Sequence, residues 1–207
     1  MKKNRIDNVK YTNNNMINDN YINSFKQITG FTDNELEIVL KHFEKKNLKK
    51  KTNLLQAGKI ANEVYFIVDG CMRLFCDKEG KELSTYFFTE QMFAGAYDSF
   101  ISRKPSRHSI ETLEDCEVLA LTYQALQDLY VEFPKMNEFI RKAIEVRFVV
   151  LHDLFTDYVL NSPEERYLSL QKERPDLLNR IPQHQIASFL GITPVSLSRI
   201  RNRVAKR

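Results

Sequence analysis

Cysteine is scarce in this chain: Cys71, Cys76 and Cys116 are the only three in 207 residues, and none forms a CxxC pair. An odd, sparse count supports neither a disulfide framework nor a zinc site, and suggests a reducing compartment. Glycine is equally thin, at six residues. No GxGxxG and no Walker-type loop is formed, so the common phosphate-cradling loops are excluded. There is no HExxH, and no Cys–His or Ser–His pairing with supporting context. An enzyme is not expected, and neither is a metal or cofactor. Aliphatic runs are only a few residues long, far short of a membrane span. The basic start Met1-Lys2-Lys3 leads into no apolar stretch, so a secretory signal is not expected and the cytoplasm is the expected location.

Acid is missing from one end. No Asp or Glu follows Asp176, whereas Arg199, Arg201, Arg203, Lys206 and Arg207 do. The net charge is only +4, so nearly all the excess basicity sits at the C-terminus. A local positive field of that kind favours a polyanion partner.

The same stretch carries the clearest local pattern. Ile186, Ala187 and Leu190, then Ile192, Leu197, Ile200 and Val204, fit the faces of two short helices. Between them Gly191 suits the left-handed end of a helix, Thr193 an N-cap and Pro194 the first helical position. Two short helices joined by a three-residue, glycine-containing turn make a helix-turn-helix. Ala187 must be small, because the second helix crosses the first there. The alternative, an ordinary helical hairpin with a solvated basic tail, leaves this agreement of signals unexplained.

Upstream, residues 1–24 are rich in Asn and Lys and read as a loosely docked arm, although Ile17, Tyr21, Ile22 and Phe25 could pack locally. Thr32-Asp33-Asn34-Glu35 is a capping-box pattern, with Leu36, Val39, Leu40 and Phe43 behind it, so a helix is expected over about 33–44. The lysines at 45, 46, 49, 50 and 51 read as a solvated turn and strand edge. From Thr52 to Leu121 short β-rich runs at 64–68, 72–76, 83–88 and 116–121 alternate with turn signals at Gly58, Asp69-Gly70 and Lys78-Glu79-Gly80. Such spacing indicates a barrel or sandwich.

A helix opening at Thr122 ends before Pro134, and a long helix over 134–160 follows. Ile144, Phe148, Leu151, Phe155 and Tyr158 alternate steps of four and three along it, as in a coiled-coil seam. Phe139, Ala143, Val146 and Val150 form a second stripe. A helix facing one core needs one stripe, so the seam is read as a homodimer interface rather than as a second burial within the chain. Asn161-Ser162-Pro163 breaks this helix. The expected division is an arm at 1–24, a β-domain at 25–133, a dimerisation helix at 134–160 and a DNA-binding domain at 161–207.

This order of parts resembles the CRP/FNR family (cyclic-AMP receptor protein and fumarate–nitrate regulator) over roughly residues 25–207. The resemblance rests on Leu54-Leu55-Gln56-Ala57-Gly58, on Val64 to Gly70, and on Gln183 to Ile200. It implies an α+β chain: an N-terminal cyclic-nucleotide-binding-like β-roll, a long dimerisation helix and a C-terminal helix-turn-helix. The family's hairpin wing would follow that motif; the chain stops at Arg207, so no full wing is expected. The implied function is a transcription regulator that binds double-stranded DNA as a homodimer and works with RNA polymerase. A ligand- or partner-sensing module that does not read DNA is the alternative.

The effector site departs from the family pattern. The family's Phe-Gly-Glu motif becomes Phe93-Ala94-Gly95-Ala96-Tyr97, with Ala96 where the ribose-gripping Glu belongs. The phosphate-gripping Arg position holds Ser106, with Arg107 displaced by one residue, and in a strand such a shift reverses the face. Gly95, Ala96, Tyr97, Ser106 and Arg107 therefore mark a degenerate pocket. Cyclic AMP is not expected to bind, and the effector is left unnamed. No cysteine precedes Cys71, so the family's N-terminal cluster cysteines are absent. Cys71 and Cys76 read as small buried hydrophobes, and His108 and His152 as hydrogen-bonded or surface residues rather than haem ligands.

In the recognition helix Arg199 matches the family's central Arg, whose fork can grip guanine O6 and N7. Val195 offers a methyl contact, and Ser196 and Ser198 can bond bases or phosphates. Thr193, Arg201, Arg203, Lys206 and Arg207 are assigned to phosphates.

Overall fold

The structure, a computed structural model, describes residues 19–206. Two helices, α1 (Asp19–Thr29) and α2 (Asp33–Leu40), precede eight strands: β1 (Glu44–Leu48), β2 (Asn53–Leu55), β3 (Glu63–Asp69), β4 (Met72–Lys78), β5 (Lys81–Phe88), β6 (Phe93–Ala94), β7 (Ser109–Thr112) and β8 (Cys116–Thr122). A short helix, α3 (Tyr97–Ser102), lies between β6 and β7. The strands pair antiparallel in two sheets, ordered β1-β8-β3-β6 and β2-β7-β4-β5. Six helices complete the described residues: α4 (Tyr123–Glu132), α5 (Lys135–Leu160), α6 (Pro163–Glu173), α7 (Pro175–Arg180), α8 (Gln183–Phe189) and α9 (Pro194–Val204).

The capping box at Thr32 is formed as expected. Glu35 N–H donates to Thr32 Oγ1 at 3.4 Å, and Thr32 N–H donates to Glu35 Oε2 at 2.7 Å. The arm needs correction at its end, because α1 begins at Asp19. Phe25 from α1 is fully buried and meets Phe66 and Phe43 edge-on at 5.0 and 5.7 Å. That burial supplies about 1.5–3 kcal/mol, which ties α1 to the roll. The rest of the arm, with Ile17, lies outside the described residues. The lysine cluster is a strand edge and turn, as expected: Lys45 and Lys46 lie in the edge strand β1 and bond Glu117 at 2.8 Å and Glu63 at 2.7 Å, and Lys49 in the turn after it bonds Asp115 at 2.7 Å.

The two faces of the second sheet have different partners. Met72, Leu74, Tyr86, Phe88 and Ile110 are cross-strand neighbours that fill the space between the sheets. Arg73, Phe87 and Glu111 are paired on the opposite face. There Cys71, Phe87 and Leu113 join one apolar core with Tyr167, Leu170, Leu177, Ile181, Ile186, Ala187, Leu190, Leu197 and Ile200 of the C-terminal helices. The helical head is thus packed on the roll of its own chain. Helix α8 also covers the open edge of β5: Ser84 N–H donates to Ser188 Oγ at 2.7 Å, and Phe189 lies 5.3 Å from Phe87.

Arg180 closes this contact. Its fork donates to Glu90 at 2.8 Å and to both carboxylate oxygens of Glu114 at 3.1 and 2.7 Å. The Arg180 guanidinium holds the Glu90 carboxyl down at about 2, against its ordinary 4.5. A carboxylate depressed in this way stabilises the fold fully above pH 4.5, and the contribution is lost as pH falls towards 2. The melting temperature is therefore expected to fall across that window, and Glu90→Gln to start lower and fall less. A variant curve parallel to the wild type would contradict the pairing.

Helix α5 turns Met136, Phe139, Ile140 and Leu154 to the roll. The second stripe expected from the sequence is half right. Val146 and Val150 are exposed, and the inward position between them is taken by Arg147. Arg147 stands seven residues, about two turns, from each of the inward residues Ile140 and Leu154, and so shares their face. The Arg147 guanidinium lies over Tyr86 at 4.4 Å and Phe88 at 5.1 Å, and donates to the Phe93 carbonyl.

Candidate nucleic-acid interface and effector pocket

The turn between α8 and α9 has the geometry its residues call for. Gly191 is left-handed at φ +68°, Thr193 Oγ1 accepts from Ser196 N–H at 3.2 Å, and Pro194 occupies the first turn of α9. Ala187 has no exposed surface. Gly191 has a second role not legible in the sequence. A Cβ built there would fall 1.8 Å from the Tyr158 hydroxyl, so the end of α5 packs against the turn.

Leu197 and Ile200 anchor α9 in the head core, which leaves the opposite face outward. Thr193, Val195, Ser198, Arg199, Arg201 and Lys206 are exposed, and Ser196 is half-buried. The expected reading residues other than Ser196 are therefore solvent-facing, but they do not share one face: Arg199 and Arg201 point about 160° apart around the helix. Arg203 is exposed too, but it donates to Glu164 at 2.5 Å, so a phosphate must displace that carboxylate. Arg199, Arg203, Ser196, Ser162 and Glu164 line a cleft of about 390 Å³ between α9 and the start of α6. Arg207 lies outside the described residues.

The residues of the family's nucleotide position offer little to an anion. Ala96 is buried, and a Cβ on Gly95 would come within 2.8 Å of Val64. Tyr97 stacks on Phe100 at 6.0 Å, and burial raises the pKa of its hydroxyl. Ser106 is buried and bonded within its own loop, accepting from His108 N–H and donating to the His108 carbonyl, each at 2.9 Å. Arg107 faces solvent. Backbone bonds between Gly58 and Ser106 and between Ser106 and Lys59, at 2.8 Å each, zip the loop shut against β2–β3. A cavity of about 510 Å³ opens elsewhere, lined by Leu55, Tyr65, Ile110 and Gln56 among others, and none of the five pocket positions lines it. The Cys71 and Cys116 thiols, pushed up by burial to about 12 and about 11, are held in the neutral form.

Residues 45–133 match the cyclic nucleotide-binding domain model. The chain is 23% identical to the cAMP-activated global transcriptional regulator CRP of Salmonella typhimurium over 181 residues, covering 82% of this chain and 86% of that protein. It is also 23% identical to the CRP-like protein Clp of Xanthomonas campestris over 96 residues, 46% of this chain and 42% of that one. Among solved structures, the c-di-GMP-responsive regulator CLP of Xanthomonas campestris superposes with a TM-score of 0.68 at 17% identity, covering 84% of this chain and 92% of that one. The catabolite activator protein of Thermus thermophilus gives 0.54 at 22% identity, covering 86% and 85%. The matched domain, the relatives along the chain and the shared fold agree: residues 45–133 form a cyclic nucleotide-binding domain, and most of the chain is similar to regulators of the CRP type.

Proposed function

We propose that the chain is a homodimeric, sequence-specific DNA-binding regulator whose β-roll does not answer to cyclic AMP. The observation that carries the reading is the outward face of α9, where Arg199 stands exposed among basic and hydroxyl side chains on a helix fixed by its cap and core. The dimer is supported by α5. Ile144, Phe148, Leu151 and Phe155 form an exposed apolar stripe on a single helix, with Val149 and Val159 beside it. A stripe of this size on a monomer marks an interaction surface. Tyr158, the fifth seam residue, also serves its own chain through Gly191 and through Arg166, whose guanidinium sits 4.5 Å from its ring.

Two copies joined along α5 would present two reading helices to half-sites about 34 Å apart. Selection from a random duplex pool, with no ligand added, is expected to enrich a palindrome of that spacing. Calorimetry is expected to give no micromolar dissociation constant for cyclic AMP. Enrichment that appears only with cyclic AMP would overturn effector independence. Absence of any DNA binding would favour a sensing module instead.

A further inference from the structure

We propose that Arg180 is a positioning residue for DNA reading: by clasping Glu90 and Glu114 it locks the helix-turn-helix onto its own roll and so sets the separation of the two reading helices. The proposal rests on the dimeric DNA-binding reading above. An apolar contact such as Phe87 against Phe189 holds two bodies together but is non-directional, and permits sliding and rotation. A guanidinium fork has fixed donor directions and resists both. Here one fork spans two loops of the roll, since Glu90 follows β5 and Glu114 precedes β8. Glu90 is itself oriented by Gly70 N–H at 2.9 Å.

The other end of the head is held separately. Only Asn161 and Ser162 separate α5 from α6, and both are extended. Arg166 bridges this joint, donating to the Tyr158, Asn161 and Leu190 carbonyls at 3.3, 2.8 and 2.9 Å. With Arg166 gripping α5 and Arg180 gripping the roll, α9 is fixed relative to the helix that carries the dimer seam. Release of Arg180 leaves the two-residue joint, the apolar core and the single bonds of Ser188 to Ser84 and Glu82 and of Arg174 to Thr89, about which the head can pivot.

The test uses the full chain and duplexes carrying two copies of the selected half-site, with the spacer altered one base pair at a time. One base pair moves a half-site by about 3.4 Å and about 35° around the duplex. The wild type is expected to lose about tenfold in affinity per step. Arg180→Ala is expected to bind a single half-site as the wild type does, yet to vary less than about threefold across the spacers. Arg180→Lys, which keeps the charge but not the fork, is expected to fall between them. A spacer profile for Arg180→Ala as sharp as the wild type's overturns the proposal.

A second readout needs no DNA. Ser84 N–H is held by Ser188 across the docked surface, so its hydrogen exchange should accelerate at least about tenfold in Arg180→Ala. Unchanged exchange also overturns the proposal. Should Arg180→Ala fail to fold, Glu114→Gln, which removes one of the two carboxylates, takes its place in both measurements. If the wild type selects no sequence, the DNA reading fails while the exchange measurement still decides whether Arg180 fixes the head.

Discussion

Phe148→Asp is expected to yield a monomer and to cut affinity for a two-fold operator at least about 100-fold. Phe148 is 69% exposed, and Phe155, two turns on, is 67% exposed. Burying a Phe side chain is worth about 1.5–3 kcal/mol, and a seam residue on a two-fold axis is counted twice. The carboxylate adds a desolvation cost. At about 1.4 kcal/mol per decade, the lost burial alone exceeds two decades in the dimer constant. Because Phe148 is exposed within one chain, the monomer fold should be unaffected. Sedimentation gives the oligomeric state and a mobility shift on the palindrome gives the affinity. Val131→Asp, at an 84% exposed position on α4 away from the seam, is the matched control and should change neither. A dimer that survives Phe148→Asp, or a wild type that is monomeric at micromolar concentration, would rule out the α5 seam.

Arg199→Ala is expected to cost roughly 1–3 kcal/mol on the selected site and to relax discrimination at one base position. The side chain is exposed on the outward face of α9 and stands over the cleft shared with Ser162 and Glu164. A bidentate contact to guanine is lost only where that guanine is present, so binding to random duplex should weaken much less. Binding to the selected site and to a set of single-base variants, at one stated salt concentration, separates the outcomes. Equal loss on every sequence would place Arg199 among the phosphate contacts.

Much of the reading head was legible before any coordinates. Thr193, Pro194 and Gly191 each act within three or four residues, through a cap, a first-turn position and a left-handed turn, and local chemistry of that kind is written in order along the chain. The long runs of β3, β4, β5 and β8 were legible for the same reason. The short strands β2, β6 and β7 were not, since two to four residues are too few to show a period. The start of α1 was obscured by its polar composition, although Phe25 stood out as a residue able to pack. On α5 the exposed seam was read correctly as apolar, but Arg147 was overlooked, because a cation covering aromatic rings interrupts the apolar pattern used to find buried faces.

By itself, then, the sequence determined the helix-turn-helix and the two-faced long helix. These depend on residue identity at close spacing. The tertiary structure alone decided that the head lies on the roll, that Tyr158 fills the space above Gly191, and that Arg180 meets partners 90 and 66 residues away. No local pattern encodes such pairings. They arise when folding brings distant charges and an uncovered sheet edge to the same place, where each must find a partner or stay solvated.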